Sequence, residues 1–148
     1  MRAPFLLGRV LFGGYFIFSG IHHFRQSRQM SQYAAAKNVP KADIAVLLTG
    51  AMLVGGGASI LLGLKPKWGT LAIMTFLAGV SPVMHNFWKD ENPEQRMNNM
   101  VTFTKNLALL GAASALMGIE EPWPASVSVS KPSGRSRAKR FLRETIAA

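Results

Sequence analysis

The sequence predicts an all-α fold, an integral membrane bundle of four antiparallel helices, and two observations carry that prediction. Apolar residues make up 49% of the 148-residue chain, and they gather in four blocks at residues 4–24, 43–64, 69–88 and 97–119. Each block is about 20 residues long, the length at which a helix crosses a hydrocarbon core of roughly 30 Å. None of the blocks has a polar face wide enough for water, so a soluble bundle of these helices would have no soluble surface. A net charge of +10 then coexists with a positive mean hydropathy of +0.17, because most charges lie between and beyond the blocks.

The first block, "PFLLGRVLFGGYFIFSGIHHF", reads as a retained helix over 4–24. Arg25 and Arg28 separate it from the A-x-A-like "YAAAK", which is too far away to serve as a signal cleavage site. Residues 25–41 read as a connection closed by "NVPKAD", where Pro40 and Asp43 suit a helix start. The second helix spans 43–64, and the short "KPKWG" joins it to a third over 69–88 in a tight hairpin. In "DENPEQR", Asn92 is a cap, Pro93 fits the first helical position and Glu94 suits the positive end of the helix dipole. The fourth helix therefore starts at 93, ahead of its apolar run, and reaches 119. Ala51, Gly55, Ser59 and Gly63, broadened by Gly56 and Gly57, form a small-residue stripe for close helix approach.

This organisation makes residues 1–121 a transmembrane domain. Residues 122–148 follow as a flexible Pro/Ser linker, "PWPASVSVSKPSG", and a basic tail. Four crossings put both termini on one side, with Arg2, Lys65, Lys67 and the tail cations Lys131, Arg135, Arg137, Lys139, Arg140 and Arg143. The opposite side carries fewer basic residues, so the positive-inside rule places both termini in the cytoplasm. The tail suits anionic lipid or an acidic partner, with a plainly solvated tail as the alternative. The absence of cysteine excludes disulfides, thiolate metal sites and cysteine nucleophiles.

Polar residues within the apolar blocks are the candidates for function. Arg9 lies about two turns into the first helix, where a charge is costly unless it snorkels or is paired. Glu120 and Glu121 end the fourth helix on the same side and are its expected partners. At the other end of the bundle the topology gathers His23, Asp43, His85, Trp88, Lys105 and Asn106. Pro82 frees a backbone carbonyl just before His85. His85 and Lys105 beside the Trp88 ring could hold a quinone carbonyl or an anion, with Asp43, Asp90 or Glu91 within reach of Lys105. The competing reading is an interfacial belt without a ligand. Haem held by His23 and His85 is disfavoured because axial ligands sit deeper in helices, and no histidine spacing marks a zinc site. No nucleotide loop, nucleophile–base pair or carboxylate dyad is present, and nothing indicates nucleic-acid binding.

"LLGRVLFGGYFIFSGIHHF", "YAAAKNVP", "LLTGAMLVGGGASILLGL", "MHNFW" and "FTKNLALLGAA" together resemble the DoxX family of small bacterial four-helix membrane proteins. The resemblance runs over residues 5–118. It implies a membrane subunit or accessory of a quinone-linked redox or oxidative-stress system in the bacterial cytoplasmic membrane. It also implies a quinone as the cofactor class, and lipids and other membrane or redox-enzyme subunits as partners, with a homo-oligomer left open. The family-like positions are Arg9, Gly20, His85, Trp88, Lys105 and Asn106. The chain departs from the family where many relatives carry an acid midway along the second helix and Leu53 stands here, which leaves a mid-membrane proton path in doubt. The alternative is a non-catalytic scaffold whose basic tail recruits a partner or anionic lipid. Solute transport is weaker, since four helices are few and no inverted repeat is visible.

Overall fold

In hydrocarbon a backbone must satisfy its own N–H and C=O groups, which turns long apolar blocks into helices. A computed structural model describes residues 2–127. Its helices are α1 (Arg2–Arg25), α2 (Ser27–Ala36), α3 (Ala42–Leu62), α4 (Pro66–Met84) and α5 (Pro93–Met117), with no strand among the described residues. Four of them, α1, α3, α4 and α5, are long and apolar enough to cross a membrane. The chain is a multi-pass membrane protein.

The helix ends follow local chemistry. Gly63 leaves α3 in the left-handed conformation (φ 70°), so that Leu64 N–H donates to the Ser59 carbonyl at 3.1 Å. Pro66 opens α4 at a position where its missing N–H costs nothing. Asn92 Oδ1 accepts from the N–H groups of Glu94 and Gln95, capping α5 as its sequence implies. The expected third helix to 88 is cut short at Met84. Beyond it Phe87 N–H bonds to the His85 carbonyl and Lys89 N–H to that of Asn86, so Phe87–Lys89 forms a separate 3₁₀ turn.

The expected connection over 25–41 is mostly helix. Met30 and Ala34, one turn apart, pack against Ala42, Val46 and Met84. A Schellman closure ends α2, with Val39 N–H donating to Ala34 O at 3.0 Å and left-handed Asn38 to Ala35 O at 2.9 Å. Its polar composition hid it from a search for apolar blocks.

Packing runs α1 on α3, α3 on α4 and α4 on α5, with α2 laid on α3. α1 and α5 make no extensive direct contact. Paired glycines bring α1 and α3 together: a Cβ on Gly20 would meet the Gly50 carbonyl at 2.6 Å, and one on Gly57 the Gly13 carbonyl at 2.6 Å. The expected stripe is only partly used. Ser59 and Gly56 face Gly69 of α4, but a Cβ at Gly55 would have nothing within 4 Å, because the buried residues of α3 are Ala42, Val46, Gly50, Leu53, Gly56, Gly57 and Ile60.

Phe16, Leu53, Ile60, Ile73 and Leu77 form the core together with Trp123, which is 2% exposed and edge-on to Phe5 at 5.5 Å. The packed unit thus continues past the boundary expected at 121, and Val127 N–H still bonds to the Leu62 carbonyl at 2.9 Å. The six tail cations, Lys131 to Arg143, lie outside the described residues.

Candidate functional site

The two ends of the bundle treat polar groups differently. At the end holding the start of α1, Arg9 is 5% exposed and its guanidinium grips backbone oxygens. It donates to Pro124 O at 2.7 Å, Ala125 O at 3.0 Å and Leu61 O at 3.1 Å. A left-handed Ala125 (φ 55°) turns two successive carbonyls towards it, and Ser126 Oγ closes the turn on Trp123 O at 2.8 Å. The pairing expected with Glu120 or Glu121 is not formed. α5 ends at Met117, both glutamates emerge exposed, and Glu121 Oε1 accepts Lys67 N–H in the first turn of α4 at 3.1 Å. Arg9 Nε–H has no partner among the described residues.

At the other end α1 and α5 flank a cavity of ≈ 700 Å³, with α3 and α4 behind it and α2 across its end. Its wall changes character along the bundle axis. Gln26, Gln29, His23, His85, Thr102, Lys105 and Asn106 line one end together with Met30, Val39, Val83 and Met84. Phe16, Met52, Leu77 and Leu109 line the other, and Phe76, edge-on to His23 at 5.9 Å, stands between the two. Seven residues of helix separate Phe16 from His23 and Leu109 from Thr102, about 10 Å at 1.5 Å per residue. The cavity is amphiphilic.

Hydrogen bonds fix both imidazoles in this wall. His23, 8% exposed, has Nδ1 2.8 Å from the Ser19 carbonyl, and a carbonyl only accepts, so Nδ1 carries the proton. His85 Nδ1 lies 3.2 Å from Asn99 Oδ1. Asn99 is oriented in turn by the Asp90 carboxylate, which accepts from its Nδ2 at 2.7 Å, leaving Oδ1 to take the His85 N–H. Asp90 is buried and paired with Lys37 at 3.7 Å, the one ion pair among the described residues. Lys37 also donates to Asn86 Oδ1 at 2.9 Å, which ties the end of α2 to the α4–α5 connection.

A family model described as DoxX matches residues 5–86, more than half of the chain. The chain belongs to the DoxX family. No curated protein and no solved structure matches it. The match covers α1 to α4 and ends just past His85, so Lys105 and Asn106 lie beyond it.

In this DoxX-family chain the cavity brings together His23, His85, Lys105 and Asn106. Asn106 is 7% exposed and its amide makes no hydrogen bond among the described residues, whereas Lys105 is exposed at the rim. Trp88 is not in the wall. Sharing a face with His85 required α4 to continue, and the 3₁₀ turn carries Trp88 outward, half exposed, onto Phe87 and Phe103. Asp43 is exposed in the first turn of α3 and pairs with no cation among the described residues, while Asp90 is taken by Lys37 and Asn99. Lys105 therefore has no acidic partner among the described residues. Asn99 and Lys37 are the participants that motif reasoning missed, and Asp90, expected near Lys105, serves them instead. Asn99, Asn106 and Ala113 are the buried residues of α5, spaced by seven, and that spacing is a readable signal.

Proposed function

We propose that this DoxX-family protein binds a quinone-type redox headgroup in the cavity between α1 and α5, as a membrane subunit or accessory of a quinone-linked redox or oxidative-stress system. The observation that carries the reading is the amphiphilic wall. Its polar end suits a ring bearing oxygens, and its apolar end suits the hydrocarbon attached to that ring. Asn106 and Lys105 donate to the ring oxygens, His23 and His85 stand beside them as acceptors, and Leu77 and Leu109 pack its substituents. The excess of basic residues on the side of the termini favours cytoplasmic termini in a bacterial inner membrane, with the polar end of the cavity towards the opposite surface.

Calorimetric titration of the full chain in nanodiscs with a short-chain benzoquinone tests this reading. Saturable binding is expected, weakened about tenfold or more by Asn106→Leu, which removes the buried amide donor to a ring oxygen, the equivalent of losing one good hydrogen bond. Trp88→Leu, outside the wall, leaves it unchanged. Absence of saturable binding, or equal loss in both variants, overturns the reading.

A further inference from the structure

We infer that the cavity discriminates by redox state and takes the dihydroxy (hydroquinone) form of its ligand in preference to the dione. This rests on the reading of the cavity as a quinone-type site and adds to it the form that is bound.

The argument turns on which nitrogen of each imidazole is spoken for. Ser19 O holds the Nδ1 proton of His23, and Asn99 Oδ1 holds that of His85. Neutral imidazole carries one N–H, so each ring is left with Nε2 as a lone-pair acceptor. Neither Nε2 has a partner among the described residues, and both rings line the cavity. Asn106, buried in the wall, and the Ser19 hydroxyl, half-buried there like His85, each donate and accept equally well. Lys105 is a donor only, but it is exposed at the rim, where it stays solvated by water or headgroups whether or not a ligand is bound. The buried part of the wall therefore has a surplus of acceptors. A hydroxyl fills a histidine lone pair, and a ketone oxygen leaves it empty in a low-dielectric site, where an unmade hydrogen bond is expensive. Asp90 and Asn99 act as positioning residues: they fix the tautomer of His85 without lining the cavity themselves.

The test compares one short-chain benzoquinone with its hydroquinone, titrated anaerobically into the full chain in nanodiscs at neutral pH. The hydroquinone is expected to bind at least tenfold more tightly. Asn99→Leu, which removes the acceptor for His85 Nδ1–H, should bring the ratio of the two affinities towards one while the benzoquinone still binds. Nitrogen NMR of histidine-labelled protein reads the tautomers directly and does not depend on that variant folding, with Nδ1–H expected at both His23 and His85. Equal affinity for the two forms, tighter binding of the dione, or an Nε2–H tautomer at both rings overturns the preference and leaves the cavity reading standing. Failure of both ligands to bind overturns the two together.

Discussion

Arg9 shows how backbone carbonyls stabilise a buried charge, with no counter-charge among the described residues. Three carbonyl dipoles converge on the guanidinium, two of them from consecutive residues of the turn after α5. Arg9→Leu removes the donor from all three, and an expected loss of about 2–3 kcal/mol follows from hydrogen bonds to a charged group. Thermal unfolding in detergent checks this, and Arg9→Lys should recover only part of the loss, since one ammonium cannot span the fork. The sequence made the position of Arg9 legible but not its partners. Charge complementarity directs attention to Glu120 and Glu121, whereas backbone carbonyls are the same at every residue and carry no sequence signal. His85 is parallel: its place at one end of the bundle was readable, but its acceptor on Asn99 depends on where α4 stops.

At the scale of the element, glycine decides which helices touch. Gly20→Leu should separate α1 from α3 and lower the unfolding temperature by several degrees, because its new Cβ would lie 2.6 Å from the Gly50 carbonyl. Gly55→Leu, on the same small-residue background, should be tolerated, since nothing lies within 4 Å of that position. Equal effects of the two would refute the assignment of faces. The four spanning helices and the α5 cap were legible because hydrophobic length and Asn-Pro chemistry are local. α2 was not, since only Met30 and Ala34 mark its buried side, too few to stand out as an apolar block. Its attachment gives a further expectation. Lys37→Met, which breaks the link to Asp90 and Asn86, should speed amide exchange in α2 while α3 stays protected.

For the whole molecule, the segment after α5 is structural. A chain ending at Glu121 should unfold at a lower temperature than one ending at Val127, since it loses Trp123 and two of the Arg9 acceptors. Removing a fully packed tryptophan alone costs about 3 kcal/mol or more. If the two truncations unfold together, the segment contributes nothing. Composition pointed the other way: the "PWPAS" stretch reads as linker because Pro and Ser dominate it, and burial of its one tryptophan is a tertiary outcome. The cavity was legible only as a gathering of polar ends. Its volume exists because α1 and α5 stay apart, which no local pattern encodes.

That separation of the first and last spans bears on how the protein is made. Each spanning helix packs on the one before it, so partners are already present in the bilayer as each segment leaves the ribosome. Closing such short-range pairs is entropically cheap. The grip of Arg9 on Pro124 and Ala125 is different, joining residues 115 and 116 positions apart. It has to wait for synthesis to pass the last span, and until then the guanidinium has only the Leu61 carbonyl of α3 to bond. A nascent chain is therefore most vulnerable to membrane quality control in the interval before residue 125 emerges.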